Sequence, residues 1–228
     1  MKNKIIIFGN GEIADLAYFY FSNDSEYNVV AFSCDDKFVK DNLHCGLPLV
    51  PLSQLTKEYP PKDYKAHVAL SYNKLNQVRA EKYNLMKSLG YDLVSYICSK
   101  SVVWSDLLIG DNCFILENQT IQPTVLIGNN VMIWSGNHLG HGCSIGDHTY
   151  LSSHICISGH TVIGEKCFVG VNSTFKDFIN IGNSVFIAMD ASVTKDIPDD
   201  AVVVGSPATV FKADNQIAIK LKKKYFNI

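Results

Sequence analysis

Residues 121–151 read IQPTVLIGNNVMIWSGNHLGHGCSIGDHTYL, and an aliphatic side chain returns in this stretch at every sixth position. The same phase continues in both directions without a slip. Its seventeen positions are all Ile, Leu, Val or Phe: Ile97, Val103, Ile109, Ile115, Ile121, Ile127, Ile133, Leu139, Ile145, Leu151, Ile157, Ile163, Val169, Phe175, Ile181, Ile187 and Val193. A six-residue period of this length predicts a parallel β-helix, in which each hexad forms one short strand and one corner.

The repeat also predicts the size of the solenoid and the role of three cysteines. Three hexads make one triangular coil, so the chain has between five and six coils, with a length of about 27 Å at the usual strand spacing. Cys113, Cys143 and Cys167 occupy the small position near the corner, and we expect them to be packing residues. There is no CxxC pair and no zinc-ribbon spacing. Because the number of cysteines is odd and no signal peptide is recognised, the seven cysteines are expected to be reduced thiols of a cytoplasmic protein.

The first 95 residues have a different pattern. Apolar runs at 4–8, 27–32, 67–71 and 93–96 alternate with helical patterns at 12–21 and 73–90. Alternating strands and helices predict a small parallel α/β domain. The sequence therefore predicts three parts: an α/β Rossmann-like domain over 1–95, a parallel β-helix over 96–213, and a C-terminal helix or tail over 214–228.

Composition argues against several classes of function. The 20 Lys and Arg residues are balanced by 22 Asp and Glu residues, and the net charge of −2 does not suit a nucleic-acid-binding protein. The longest apolar run near the N-terminus, residues 5–8, is too short for a signal sequence or a membrane span. Four lysines near the other end are expected to form the solvated end of a helix: Lys220, Lys222, Lys223 and Lys224.

A glycine turn after the first strand predicts a nucleotide site. Gly9-Asn10-Gly11 opens a helix in the pattern G-x-G-x-x-A, where backbone N–H groups suit a phosphate. Asp35 and Asp36 follow the second strand, and an acid there suits a ribose hydroxyl. Tyr72 and Asn73 follow the third apolar run, at the sheet edge where such ligands bind. Because the domain is short, a nucleoside diphosphate fits better than a dinucleotide.

Five of the seven histidines lie close together in the repeat: His138, His141, His148, His154 and His160. None takes an inward position, so all are expected at corners or on outer faces. A solenoid has no concave site of its own, and clefts arise where subunits pack side by side. We therefore expect the histidine cluster to mark the functional site.

The glycine turn, Asp35-Asp36, the unbroken repeat and the closing Gly205-Ser206-Pro207-Ala208 together resemble the hexapeptide-repeat sugar acyltransferases. The similarity is greatest to bacterial nucleotide-sugar N-acetyltransferases, such as the bacillosamine-pathway enzyme, and to sialic acid O-acetyltransferases. It covers nearly the whole chain. It implies a left-handed parallel β-helix, a homotrimer, acetyl-CoA as the donor co-substrate, and a nucleotide-linked sugar bound mainly by the front domain.

The resemblance also implies a general base. The family's base lies in a segment of the type hydrophobic-acid-His-acid-Cys-x-Ile-Gly, which matches residues 139–146 and gives His141 that role. Both acids are glycine in this chain, at Gly140 and Gly142. The residue that orients the imidazole is therefore open, and the candidates are Asn137, His138 and Asp147. His138 is also the alternative base.

The resemblance extends to binding residues. For CoA, the matching positions line a groove between neighbouring solenoids: Gly159, Val171, Ala188, Met189 and Pro207. For the nucleotide they are Gly9, Asn10, Gly11, Asp35, Asp36 and Lys37, with Tyr72, Asn73 and Arg79 as further candidates. No metal is expected.

The sequence therefore predicts an acetyl-CoA-dependent N-acetyltransferase of surface-polysaccharide or glycan biosynthesis. Residues 134–138 resemble the subgroup that acts on 4-amino-4,6-dideoxy sugars. Histidine ordinarily titrates near neutral pH, so His141 suits the removal of a proton from the attacking amine. Three alternatives remain: O-acetylation of sialic acid or another sugar, a γ-type carbonic-anhydrase-like metal hydratase, whose partner histidine is Gly136 here, and a non-catalytic binding module.

Overall fold

A computed structural model of the chain describes residues 3–228 and divides into two compact units. The first unit comprises the residues up to Ser71 together with Arg79–Tyr96, and the second comprises Tyr72–Val78 together with Ile97–Ile228. The sequence predicts a boundary between residues 95 and 96. It does not predict that residues 72–78 belong with the repeat, or that residues 214–228 pack there instead of forming a separate tail.

The first unit contains a five-stranded sheet and its helices. Its elements are β1 Asn3–Phe8, α1 Glu12–Asn23, β2 Tyr27–Cys34, a 3-10 turn at Asp36–Phe38, β3 Leu43–His44, β4 Leu47–Pro51, α2 Leu52–Glu58, β5 Lys65–Val68, and most of α3 Gln77–Ser88. The strand order is β3-β4-β2-β1-β5, and only the β3–β4 pair is antiparallel. Residues 5–7 of β1, an interior strand between β2 and β5, are fully buried, as expected for a parallel strand covered on both faces.

The predicted first two strands are present, and the later elements of this unit differ. The third apolar run forms its strand at Lys65–Val68 rather than at 67–71, and Leu93 contributes only an isolated bridge to Ala66. Helix α3 begins at Gln77 rather than at residue 73. The reason is that residues 74–76 all adopt left-handed backbone angles, with φ between 50 and 67°.

The second unit contains the six-residue repeat. Its strands are β6 Tyr96–Ile97, β7 Leu108–Ile109, β8 Phe114–Ile115, β9 Thr120–Ile121, β10 Leu126–Ile127, β11 Met132–Ile133, β12 His138–Leu139, β13 Ser144–Ile145, β14 Tyr150–Leu151, β15 Cys156–Ile157, β16 Val162–Ile163, β17 Phe168–Val169, β18 Thr174–Phe175, β19 Asn180–Ile181, β20 Phe186–Ile187, β21 Ser192–Val193, β22 Val202–Val204 and β23 Thr209–Phe211. Successive strands alternate among three sheets. From β7 to β21, residues 18 positions apart pair in parallel, as in Leu126 with Ser144. This arrangement fits a left-handed β-helix.

The three sheets form three faces. Face A contains β7, β10, β13, β16 and β19; face B contains β6, β8, β11, β14, β17, β20, β22 and β23; face C contains β9, β12, β15, β18 and β21. The chain turns from A to B, from B to C and from C to A, and we name the three rows of corners the A–B, B–C and C–A edges.

The aliphatic position of each hexad forms one continuous core, as predicted. Fourteen of the seventeen residues are buried, from Ile115 to Val193, and only Ile97, Val103 and Ile109 at the beginning are partly exposed. Cys113, Cys143 and Cys167 belong to the same core with no exposed surface. Their predicted role as packing residues is confirmed.

Each corner from residue 112 to residue 190 contains one residue in the left-handed region, with φ between 55 and 80°. These residues are Asn112, Asn118, Thr124, Asn130, Gly136, Gly142, His148, His154, His160, Lys166, Asn172, Phe178, Ser184 and Asp190. Glycine, asparagine and histidine tolerate this conformation better than most residues. Three of the five clustered histidines are therefore turn residues, whereas His138 and His141 are not.

Face B differs from the other two because its outer surface is covered. Its outward side chains Phe114, Met132, Tyr150, Phe186 and Val202 are buried, and Phe168 is partly buried. Leu75 from the 72–78 segment packs there with Phe186 and with Phe226 of the C-terminal helix. The outward row of face B is aromatic and apolar, and burying it explains why residues 72–78 and 214–228 belong to this unit.

Two hydrogen bonds fix the C-terminal helix α4, Gln216–Phe226: one caps its first turn, and the other joins Lys222 to the solenoid. The Asn215 side chain accepts a hydrogen bond from the backbone N–H of Ile217 at 2.8 Å, which caps the helix. Lys222 donates to the Ser184 carbonyl at 3.2 Å, and burial lowers the pKa of its ammonium group. Within the described residues 3–228, no helix is both long enough and apolar enough to span a membrane.

Candidate active site

His141 lies at the middle of a corner on the C–A edge, between Gly140 and Gly142, and its side chain is exposed. Its backbone N–H donates to Oε1 of Gln122 at 2.8 Å, and its Nδ1 lies 3.2 Å from the same oxygen. Gln122 occupies the corner of the preceding coil on the same edge. The side chain that contacts the imidazole is therefore Gln122, which the sequence does not predict.

The two glycines beside His141 are required by packing. A Cβ at Gly140 would lie 2.6 Å from the backbone nitrogen of Gly159 and 2.8 Å from the carbonyl oxygen of Ile157. Gly142 has φ +67°, and a Cβ there would lie 2.6 Å from Nδ1 of His160. An acidic side chain at either position would collide with its neighbour, so this corner has no room for the acids of the family segment.

Aromatic rings pack along the C–A edge on the two coils that follow His141. The backbone N–H of His160 donates to the His141 carbonyl at 2.9 Å, and the two imidazoles are perpendicular with centroids 5.0 Å apart. His160 stacks on Phe178 with centroids 4.8 Å apart and an interplanar angle of 14°. Phe178 is 70% exposed, so the rings form an open wall on one side of His141.

The other candidates for orienting His141 have different partners. Asn137 is buried, and its Oδ1 accepts the backbone N–H of Ile155 at 2.6 Å, so its amide joins two successive coils on the B–C edge. Asp147 lies on the A–B edge, where its carboxylate accepts the backbone N–H of Asn129 at 2.7 Å. His138 points outward from face C, in register with Thr120 and Cys156 of the neighbouring strands.

His148 and His154 occupy turn positions, where their rings contact neighbouring residues of the solenoid. His148 is 8% exposed on the A–B edge, and its Nδ1 lies 2.8 Å from Nδ2 of Asn130, which continues a ladder begun by Asn112. The His154 ring lies over Gly136 on the B–C edge, where a Cβ would lie 2.7 Å from its Nδ1. Of the clustered histidines, only His138 and His141 are free of a turn role.

The buried thiols Cys143 and Cys167 are not suitable nucleophiles. Cys143, two residues after His141, has no exposed surface, and burial raises the pKa of its thiol to about 12. Burial also raises the pKa of the Cys167 thiol to about 12. The neutral thiol is a poor nucleophile, so these cysteines do not suit covalent catalysis.

The residues predicted to bind CoA are divided between edges. Gly159 lies on the C–A edge, where a Cβ would lie 2.8 Å from Cε1 of His141. Val171, Ala188 and Met189 lie on the B–C edge, and the side chains of Val171 and Met189 are 45% and 66% exposed. Pro207 lies in the β22–β23 hairpin that extends face B. One chain therefore does not bring the whole set together.

The two glycines of the turn after β1, Gly9 and Gly11, have different surroundings. Gly9 has φ +143°, and a Cβ would lie 2.5 Å from the Ala69 carbonyl oxygen, so its role is close packing. Gly11 is the N-cap of α1, has no side-chain cap, and has no atom within 4 Å of a Cβ position. Asn10 donates to the Phe38 carbonyl at 3.1 Å. The open space for a ligand is therefore beside Gly11, at the N-terminus of α1.

The acidic pair after β2 is already engaged. Asp35 forms an ion pair with Lys82 of α3. Asp36 accepts the backbone N–H of Ser53 at 3.0 Å, and hydrogen bonds from Ser53 lower the pKa of its carboxyl. The Nζ of Lys37 lies 4.9 Å from the ring centre of Phe38. Lys82 is a polar residue at this end of the sheet that the sequence does not predict, because a lysine on a helix surface has no distinguishing pattern.

The three further residues predicted to bind the nucleotide, Arg79, Tyr72 and Asn73, are a buried residue of the first unit and two residues of the second unit. Arg79 is 2% exposed, and its charge helps burial to lower the pKa of His67. It is thus a core residue of the first unit rather than a surface ligand. Tyr72 and Asn73 belong to the second unit, where the Tyr72 ring packs on Tyr150 and Phe168 with centroids 5.1 and 4.8 Å away. The sequence placed both at the sheet edge because it extends the third strand by three residues.

One group of side chains among residues 3–228 offers three metal-ligand atoms. Asp15, His44 and Cys45 have ligand atoms that all lie within 4.8 Å of one another. They are already joined by hydrogen bonds, since Oδ1 of Asp15 lies 2.6 Å from Nε2 of His44 and 3.5 Å from the Cys45 sulfur. Burial, followed by the hydrogen bond and the charge of Asp15, raises the pKa of the Cys45 thiol, which favours the protonated form over a thiolate ligand.

Comparison with known protein families identifies the same six-residue repeat. The family described as bacterial transferase hexapeptide (six repeats) matches residues 124–154. The acyl-[acyl-carrier-protein]–UDP-N-acetylglucosamine O-acyltransferase of Sinorhizobium fredii is 27% identical over 117 residues, which are 48% of this chain and 43% of that protein. Its counterpart from Burkholderia mallei is 31% identical over 109 residues, covering 45% and 42%. The chain thus spans less than half the length of the curated relatives it matches.

Solved structures match over most of the chain. The acetyltransferase domain of PglB from Neisseria gonorrhoeae, in complex with acetyl coenzyme A, is 20% identical with a TM-score of 0.82, covering 92% of this chain and 100% of that one. PerB from Caulobacter crescentus, in complex with CoA and GDP-perosamine, is 21% identical with a TM-score of 0.82, covering 93% and 99%. The chain therefore contains the hexapeptide repeat that the family model describes over residues 124–154, and it has the same fold as the PglB acetyltransferase domain and PerB.

Proposed function

We propose that this chain is an acetyl-CoA-dependent N-acetyltransferase that acts on the amino group of a nucleotide-linked sugar, with a 4-amino-4,6-dideoxy sugar as the preferred acceptor. The observation that supports it most is His141. Its imidazole is exposed on the C–A edge. Nδ1 lies at hydrogen-bonding distance from Gln122, so Nε2 is the nitrogen that can face a substrate. The fold of PglB and PerB, seen with acetyl-CoA and with CoA and GDP-perosamine, supports the same substrates here.

The proposed reaction is direct transfer in a ternary complex. The neutral amine attacks the thioester carbonyl, and Nε2 of His141 accepts the proton as the nitrogen–carbon bond forms. The carbon–sulfur bond then breaks, and the thiolate of CoA leaves and receives the proton from the imidazolium. A backbone N–H of the coil is suited to stabilise the negative oxygen of the tetrahedral intermediate. No enzyme thiol takes part, in agreement with the burial of Cys143.

The division of labour follows the two units. We assign residues 1–95 as a Rossmann-like nucleotide-sugar-binding domain, because the open end of α1 at Gly11 offers backbone N–H groups to a phosphate. Lys82 and Asp35 add a polar pair at the same end of the sheet. We assign residues 96–213 as the acyltransferase domain, followed by a terminal segment, 214–228, that packs on it.

A homotrimer is part of the proposal. Three of the five outward side chains of face A are apolar and exposed, Leu108 at 65%, Leu126 at 47% and Val162 at 41%, and the other two are Ser144 and Asn180. Exposed apolar side chains in one row favour burial against another copy of the chain. The predicted CoA residues lie on two different edges, so lateral packing of copies provides a way to assemble them into one groove. Sedimentation or light scattering at micromolar concentration tests this, and a monomer would contradict it.

The experiment that tests the function is release of free thiol from acetyl-CoA. The acceptors are 4-amino-4,6-dideoxy sugars linked to UDP, dTDP and GDP, with free sialic acid and CMP-sialic acid as rivals and a reaction without acceptor as the blank. Rapid release with one amino sugar, and an N-acetylated product by mass spectrometry, is the expected result. Release only with a hydroxyl acceptor would move the assignment to O-acetylation. No release with any acceptor would contradict the proposal and favour a binding role.

A further inference from the structure

Two hydrogen-bond donors of His141 converge on one atom of Gln122. Oε1 of Gln122 lies 2.8 Å from the backbone nitrogen of His141 and 3.2 Å from Nδ1. A backbone N–H only donates, so the amide atom that faces it must be the carbonyl oxygen and not the NH₂ group. The orientation of the Gln122 amide is therefore fixed by the backbone, independently of the imidazole.

This orientation determines which ring nitrogen holds the proton. An amide oxygen only accepts, so Nδ1 makes a favourable contact with it only as an N–H. A neutral imidazole has one N–H, and the other nitrogen then has the free lone pair. We infer that Gln122 is a positioning residue that holds His141 in the tautomer with the proton on Nδ1 and the lone pair on Nε2. Its catalytic consequence rests on the proposed function of His141, whereas the tautomer does not.

The preceding coil provides this contact because the flanks of His141 cannot. Gly140 has the backbone of Gly159 2.6 Å from a Cβ position, and at Gly142 the His160 ring fills the space. Gln122 reaches the imidazole across one coil instead. Because its amide is neutral, it orients the ring without adding a negative charge to stabilise an imidazolium.

The other titratable groups near His141 are the same in every Gln122 variant, so a substitution that changes the charge at residue 122 can be interpreted directly. The titratable neighbour in ring contact with His141 is His160, at 5.0 Å between centroids. On the same edge, Asp106 one coil before Gln122 accepts the backbone N–H of Thr124 at 3.1 Å, and Lys176 and Asp177 lie two coils after His141. All of these remain in place in the Gln122 variants, so a difference between the variants reports on Gln122 alone.

The tautomer is measured by nitrogen NMR of the substrate-free protein labelled with ¹⁵N-histidine, with the His141 signals assigned from the His141→Asn variant. We expect the Nδ1–H form in the wild type and a loss of that preference in Gln122→Ala. An Nε2–H form in the wild type, or no change of tautomer in Gln122→Ala, would overturn the inference. Since no acceptor is added, this result does not depend on the proposed reaction.

The consequence for turnover is measured with three variants. We expect Gln122→Ala to lower kcat about 10- to 100-fold with little change in KM. Gln122→Glu keeps both hydrogen bonds and adds a charge that favours the imidazolium, so the acidic limb of the kcat/KM profile should move about one pH unit upward.

Asn183→Ala is the matched control. The Asn183 side-chain oxygen accepts the backbone N–H of Glu165 across one coil, also at 2.8 Å, but touches no imidazole. It should leave kcat and the pH profile unchanged. Equal loss of kcat in Asn183→Ala and Gln122→Ala, or an unmoved profile in Gln122→Glu, would show that Gln122 only supports the corner.

Discussion

The A–B and C–A edges of the solenoid both contain histidines, and they use them differently. On the A–B edge, His148 is buried in the left-handed turn position, with Nδ1 against the Asn130 amide in a ladder of side chains. On the C–A edge, His141 lies one residue before the turn glycine, is exposed, and contacts Gln122. The difference of one position within the hexad separates a histidine that shapes the corner from one that is available to a substrate.

His67 in the first unit extends the comparison and gives the largest expected effect on stability. It is fully buried, and burial lowers its pKa to about 4, against an ordinary value of 6.5. The folded chain therefore holds His67 neutral while the unfolded chain protonates it below pH 6.5. Stability from this group is complete above that pH and falls as pH drops, by about 3 kcal/mol between pH 7 and pH 4.

Urea unfolding at several pH values measures this loss, with His67→Gln as the variant that cannot titrate. The difference in unfolding free energy between the two proteins should depend on pH between 7 and 4. A parallel pH dependence in both would remove His67 from the explanation.

Replacing His148 should affect stability rather than turnover. His148→Ala removes the ring nitrogen that lies 2.8 Å from Nδ2 of Asn130 and places alanine at φ +64° in a buried corner, so we expect a loss of about 2 kcal/mol. His148→Asn continues the ladder with a residue that tolerates the same φ, and should cost less than half of that. Thermal unfolding measures both, and equal stability of the two variants would contradict the ladder.

Restoring an acid beside His141 should give a smaller loss. Gly142→Asp requires a side chain at φ +67° and displaces the His160 ring, which should cost about 1–2 kcal/mol of stability. Turnover should fall and not rise, since the aspartate would disturb the rings beside the base. A Gly142→Asp variant that is as stable as the wild type and more active would show that the corner has room for an acid.

The sequence predicts the solenoid closely because its interior admits only one kind of residue at a fixed interval. The phase from Ile115 to Val193 corresponds to the buried positions of successive strands. It predicts the covering of face B poorly, since residues 72–78 pack there through side chains such as Leu75 that have no periodic relation to the repeat.

The same limit applies to the candidate site. The motif around His141 predicts the histidine but not Gln122, because the two are one coil apart and the contact crosses between coils. The 18-residue spacing of paired strands is the signal that points to it, since a corner residue meets its neighbour about that far along the chain. Lys82 in the first unit has no such spacing, and only the fold brings it to Asp35.

The central claim is that His141, and not another histidine of the cluster, is the base of acetyl transfer. The direct test is turnover of His141→Ala and His138→Ala with acetyl-CoA and the accepted amino sugar, with thermal unfolding of each variant as the control for folding. We predict a loss of about 10²–10⁴-fold in kcat for His141→Ala at unchanged stability, and a small effect for His138→Ala. Near-full turnover of His141→Ala, with the large loss in His138→Ala, would contradict the account.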